Sequence, residues 1–189
     1  MSTPALDIAL VHHPVVNREG EAIASAVTNL DLHDIARAAK TYDVVRYYVV
    51  TPLEDQQKLA QKIVGHWTQG RGGRVNPDRK EALELIRVVD SVEQAIDRIE
   101  KRCGRPPKTI ATCAAGRPYS IGYSRLRAML DKGTPCLLLF GTAWGLSNAF
   151  IEGVDCVLDP VRGRTPYNHL SVRSAVSIVL DRLVGERDI

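Results

Sequence analysis

Short apolar runs alternate with longer stretches of helical period along this chain. Leu6–Val11 is a run of six dominated by apolar residues and predicts a buried first strand. Leu32–Thr41 has Ile35, Ala38 and Ala39 at helical spacing and predicts a helix. Val44–Val50, rich in Val and Tyr, predicts a second strand. Thr51-Pro-Leu-Glu has the form of a helix start, with Thr51 as cap, and the helix is expected to reach about His66. Gly70, Gly72, Gly73 and Pro77 interrupt the pattern, so residues 69–78 are expected to form a mobile loop. Leu85–Val89 predicts a strand, and Ser91–Arg102 a helix capped by Ser91. Lys108–Cys113 is the next strand and Tyr123–Lys132 the next helix, closed by Gly133. Pro135–Phe140 and Val154–Leu158 are two further strands. Leu170–Val184 is a long final helix, with Leu170, Val176, Val179 and Leu183 on one face.

This alternation predicts an α/β fold with a mostly parallel sheet and helices on both faces, within one domain over residues 1–189. No repeat or low-complexity segment interrupts it. Ligands of such sheets bind beyond the carboxyl ends of the strands. Residues 112–122, 140–148 and 159–169 occupy that position and hold much of the chain's Gly and Pro.

Composition narrows the classes. Hydrophobic residues make up 44% and charged residues 25%, ordinary values for a soluble globular protein. The net charge of +3 permits an anionic partner without requiring one. Cys103, Cys113, Cys136 and Cys156 have no metal-ligand spacing; the last three lie in or beside apolar runs and read as buried reduced thiols, which fits a cytoplasmic location. The N-terminus lacks the pattern of a signal peptide, and no apolar run approaches the ~20 residues that span a bilayer. No metal site and no membrane partner are therefore expected.

Two segments carry candidate chemistry. In Leu138-Leu-Phe-Gly-Thr-Ala-Trp-Gly-Leu146 a buried strand enters a turn containing Gly141 and Gly145. Taken alone, this reads as a plain strand-to-helix turn. It lacks the Gly-Lys-Ser/Thr of a phosphate-binding loop and the spacing of a dinucleotide fingerprint, which disfavours ATP and NAD. In Val157-Leu-Asp-Pro-Val-Arg-Gly-Arg-Thr-Pro-Tyr-Asn-His-Leu-Ser-Val-Arg-Ser-Ala175 a strand ends at Pro160, and Asn168 and His169 open the last helix. Asn168 is there either a simple N-cap or a donor to a ligand.

Together these segments resemble the second and third motifs of the SPOUT superfamily of RNA methyltransferases, whose C-terminal region is tied in a trefoil knot. Asn29-Leu-Asp-Leu-His-Asp-Ile-Ala-Arg37, continuing to Val44, resembles the first motif. The likeness is greatest to a small stand-alone branch related to the C-terminal domain of tRNA guanine-N1 methyltransferases. It implies that three loops hold S-adenosylmethionine. They supply Thr112 and Ala114; Leu139, Phe140, Gly141, Thr142, Gly145 and Leu146; and Leu158, Pro160, Asn168, His169, Leu170 and Ser174. The adenine would sit among Leu139, Leu158 and Leu170, with Gly141 and Gly145 beside the methionine part. Arg37 and Asn168 are the catalytic candidates. Arg37 matches an arginine thought to act on the target hydroxyl or its phosphate in ribose-methylating members. Its guanidinium suits phosphate and is a poor base. On residues alone, Arg37 is a solvated charge paired with Asp34 or Asp31. The second motif departs from ribose-methylating members in having Ala143 and Trp144 where they carry Glu.

The resemblance also implies an RNA substrate, tRNA or rRNA in the sense of the related enzymes, and a homodimer that the RNA bridges. The alternative is a cofactor- or RNA-binding module without catalysis. Lys62, Arg71, Arg74, Arg79 and Lys80 surround residues 69–78, with His66 and Trp67 beside them. Arg98, Lys101, Arg102, Arg105 and Lys108 form a second basic cluster, and Arg162 and Arg164 lie in the third loop. Each group reads as an RNA contact or as a solvated face, and Trp67 as a stacking platform or a packing anchor.

Overall fold

The structure, a computed structural model, describes residues 5–186. Six strands form one sheet in the order β5-β4-β1-β7-β6-β8: β1 (Leu6–Val11), β4 (Tyr47–Val50), β5 (Ile86–Val89), β6 (Lys108–Thr112), β7 (Cys136–Gly141) and β8 (Cys156–Leu158). All neighbours run parallel. Such strands are covered on both faces and are nearly continuous in apolar character, which is why the short apolar runs located them.

The two-residue alternation of each strand divides the core. Leu6, Ile8 and Leu10 of β1 join Tyr47, Val49, Ile110, Leu138 and Phe140 on one face. Against that face pack α1 (Asn29–Thr41), α2 (Glu54–Thr68), α4 (Pro77–Leu83), α6 (Tyr123–Asp131) and α8 (Val172–Val184). Ala9, Val11, Tyr48, Val50, Leu137 and Leu139 line the other face, under α5 (Val92–Cys103) and α7 (Asn148–Glu152). Asp7 lies fully buried within β1 and receives two hydrogen bonds from Arg102 of α5, one of them at 3.1 Å. That pair occupies Arg102, and Lys108 is likewise tied to Asp155 at 2.7 Å.

Several element boundaries differ from the sequence expectation. α1 begins at Asn29, not Leu32, because Thr28 caps it: its Oγ1 accepts from Asp31 N at 3.1 Å. α2 begins at Glu54. Thr51 does not cap it: Leu53 is the N-cap, and the Thr51 hydroxyl accepts from Leu53 N at 3.3 Å, ahead of the helix. α8 begins at Val172 with Ser171 as its cap, so neither Asn168 nor His169 opens that helix. Residues 69–78 are not a mobile loop. They form α3 (Arg71–Val75) and the start of α4, with Gly72 and Gly73 buried. A Cβ on Gly73 would stand 2.3 Å from Trp67 O, so this glycine permits close packing. Two strands of two residues, β2 (Val15–Val16) and β3 (Ala22–Ile23), pair antiparallel after β1 and have no counterpart in the sequence pattern.

From β8 the chain returns over the first face, and α8 packs against α1, α6 and β7. Among the described residues no helix is long and apolar enough to cross a membrane.

Candidate functional site

The turns beyond β6, β7 and β8 converge on a cavity of about 790 Å³. Thr112–Ala115 contributes one wall, Phe140–Leu146 a second and Leu158–Val161 with Asn168–Leu170 a third. The floor comes from the N-terminal half and from the start of α8: Ser25, Thr28 and Asp31 on one side, Val172 and Arg173 on the other. A cavity of this size falls within the ~300–1,000 Å³ usual for small-molecule sites.

The second wall has unusual backbone. Ala143 has φ 51° and Gly145 φ 102°, both in the left-handed region. Residues 142–146 fold back on themselves, with Gly145 N donating to Thr142 O at 2.9 Å. β2 holds this turn from outside: Trp144 N donates to Val16 O at 3.1 Å and Val16 N to Gly145 O at 3.0 Å. A Cβ on Gly141 would stand 2.6 Å from Leu146 N. Gly141 is thus required for the turn to close on itself. A Cβ on Gly145 would meet nothing within 4 Å, so there the constraint is φ alone.

Three polar clusters fix the cavity. Asn168 Nδ2 donates to Ala114 O at 2.7 Å and ties the third wall to the first. Arg173 donates from Nη1 to Asp31 at 3.0 Å and pairs through Nε with Asp34 at 3.3 Å, joining α8 to α1. Asp31 also accepts from Thr28 Oγ1 at 2.7 Å. Beneath the second wall, His12 Nδ1 lies 3.0 Å from Ser25 Oγ, which lies 2.5 Å from Thr142 Oγ1. His12 is fully buried, and its Nε2 finds no partner among the described residues. Burial pushes its imidazole down to about 4, against an opposing pull from Asp31, so it is neutral at physiological pH.

Most of the expected cofactor residues meet here: Thr112, Ala114, Phe140, Gly141, Thr142, Gly145, Leu146, Leu158, Pro160, Asn168, His169 and Leu170 all line the cavity. Leu139 and Ser174 do not. Leu139 belongs to the opposite face of the sheet by strand alternation, and only its carbonyl, accepting from Thr112 Oγ1 at 2.9 Å, turns toward this end. Ser174 spends its N–H on the Ser171 cap. Arg37 is exposed on α1 outside the cavity lining, one turn beyond Asp34. The arginine in the lining is Arg173, and both Asp31 and Asp34 pair with it and not with Arg37. Ser25, Thr28, Asp31 and Arg173 were missed by sequence reasoning. The Thr28-x-x-Asp31 spacing before an apolar run was the available signal, as a variant of the helix-capping box.

The sheet order and helix layers are those of several solved methyltransferase structures. The chain resembles a probable methyltransferase from Bordetella pertussis Tohama I, with a TM-score of 0.62 at 17% identity over 96% of this chain and 95% of that one. It also resembles the SpoU methyltransferase AviRb from Streptomyces viridochromogenes, solved in complex with AdoMet, with a TM-score of 0.52 at 18% identity over 97% of this chain and 58% of that one. The chain belongs to a family described as SAM-dependent RNA methyltransferase, whose model matches residues 5–185. It is 48% identical over 178 residues to a tRNA (guanine-N(1)-)-methyltransferase of Oleidesulfovibrio alaskensis. That match takes in 94% of this chain and 41% of the relative's length.

Proposed function

We propose that the chain transfers a methyl group from S-adenosylmethionine to RNA, with tRNA as the substrate class, in the cavity between the three strand-end turns. The supporting observation is that turns distant in sequence enclose one cavity, walled by apolar Leu146, Leu158 and Leu170 and by hydroxyls of Ser25, Thr28 and Thr142. This donor set suits a ligand with an aromatic base, a ribose and a zwitterionic end. The bound cofactor would supply a carbon already activated by its sulfonium.

The chain's own residues would hold and orient. Asn168, fixed on Ala114 O, would keep the third wall closed over the ligand. Arg173, held by two carboxylates, would present a guanidinium of fixed orientation at the floor. Neutral His12 would brace Ser25 and, through it, Thr142. Trp144 is 62% exposed and offers an RNA base a stacking surface beside His169. Arg37 would meet the RNA outside the cavity. Trp67 would stay a packing anchor, with Arg79 4.7 Å above its ring and His33 and His66 at its edges.

The same reading takes the chain as a single, knotted domain working as a cytoplasmic homodimer. The Asn168–Ala114 bond and the return of α8 to α1 fit a knotted third wall. Leu30 and Leu170, 58% and 43% exposed near the starts of α1 and α8, fit a dimer contact. The free thiols fit a reducing compartment.

The test is transfer of labelled methyl from S-adenosylmethionine to total tRNA, and separately to rRNA, from a strain lacking this protein, followed by nucleoside analysis. Label in one tRNA nucleoside is expected. Cofactor binding with no label in any RNA would make the chain a binding module.

A further inference from the structure

A second cavity, of about 610 Å³, adjoins the first and shares Asp159 and Pro160 with it. Its other lining includes Arg117, Arg162, Arg182 and Tyr123. The lining thus brings three arginines and one carboxylate, Asp159, together. Elsewhere on the chain the basic groups flagged in the sequence are often occupied: Arg102 by Asp7, Lys108 by Asp155, Arg79 by the Trp67 ring. Neither Arg117 nor Arg162 forms an ion pair among the described residues.

The guanidiniums are held in place. Arg117 Nη2 donates to Asn148 Oδ1 at 2.5 Å, while its Nε is buried with no partner among the described residues. Arg162 lies against Gly116, whose missing Cβ would stand 2.7 Å from Arg162 Nη2. Arg182 sits 5.4 Å from the centre of the Tyr123 ring. Tyr123 opens α6, whose N-terminus has no side-chain cap, and this adds the positive end of a helix dipole. Planar guanidinium forks match the oxygens of a phosphate.

We propose that this groove is a phosphate site that seats an RNA backbone phosphodiester next to the nucleotide entering the main cavity. The inference rests on the methyltransferase reading for its choice of RNA. A phosphodiester here, sharing Asp159 and Pro160 with the main cavity, positions the strand without reading its sequence.

The experiment measures binding of a fluorescein-labelled, unmodified tRNA transcript to the full chain across a salt series. It compares wild type with Arg162→Gln and with the Arg117→Gln/Arg162→Gln double variant. The slope of log affinity against log salt is expected to fall by about 1 for each arginine removed. Affinity near physiological salt should drop on the order of tenfold or more per arginine. S-adenosylmethionine affinity should hold in both variants, and the thermal midpoint in Arg162→Gln. Arg162→Gln serves as the second variant because Arg117 also anchors Asn148. Unchanged slope and affinity in both variants would overturn the site, even with methyl transfer intact. The same result with inorganic phosphate binding the groove would make it a small-anion site and equally overturn the proposal. RNA binding that depends on these arginines in a wild type transferring no methyl would uphold the site and sink the methyl-transfer reading.

Discussion

Two glycine-containing segments of this chain, read from sequence as a mobile loop and as a strand-end turn, fold into opposite things. Residues 70–73 hold three glycines among arginines, yet they become a short helix tucked under Trp67, with Gly73 pressed onto the backbone of α2. Residues 141–145 hold two, and they build the strained wall of the cavity with two residues at positive φ. Glycine number is therefore a poor guide to mobility or to ligand approach. What decides is what the absent side chain would have struck. At Gly73 it is a neighbouring helix, at Gly141 the turn's own return, and at Gly145 nothing but its own dihedral.

The largest effect should come from the first segment. Gly73→Val places atoms where Trp67 O already stands and should lower stability by roughly 3 kcal/mol or more. Denaturant unfolding measures this, and calorimetry on the remaining folded protein should find cofactor affinity unaltered. A large loss of affinity at equal folding would erase the distinction between the segments.

Acid probes what lies beneath the second segment. His12 is held down from 6.5 to about 4 in the folded chain. Between those values the unfolded chain binds a proton that the native one refuses. His12 therefore contributes stability in full above about pH 6.5, and that contribution disappears as pH falls toward 4. The difference amounts to roughly 3 kcal/mol at most. Thermal melts from pH 7 to 4 should show a shallower decline for His12→Asn than for wild type, and parallel curves would deny His12 this role.

Within the second segment the effects should be local. Gly141→Val should weaken S-adenosylmethionine binding about 100-fold, or roughly 2.7 kcal/mol, by preventing the turn from closing. Gly145→Ala meets open space and should lose only about 1–2 kcal/mol of stability through its dihedral. Equal losses of affinity in the two variants would mean that the wall tolerates neither change, against the separation drawn here.

Sequence located the sheet well and the site unevenly. β1 and the neighbouring β7 were legible because both faces of each are covered, leaving short runs dominated by apolar residues. The three cavity turns followed from strand ends and from family motifs. The side chain of Leu139 takes the opposite face of the sheet, which a motif does not state and its pairing with Ala9 and Ala111 does. Asp31 and Arg173 are separated by 141 intervening residues and meet only when α8 returns to α1, a contact that no local pattern encodes. The strands β2 and β3 are too short to show any period, yet they brace the wall.

A crystal structure with S-adenosylmethionine tests the central claim most directly. The cofactor should lie between residues 112–115, 140–146 and 158–170, with the Asn168–Ala114 bond intact beside it. Density for the cofactor at another place on the chain, with these turns empty, would contradict the account.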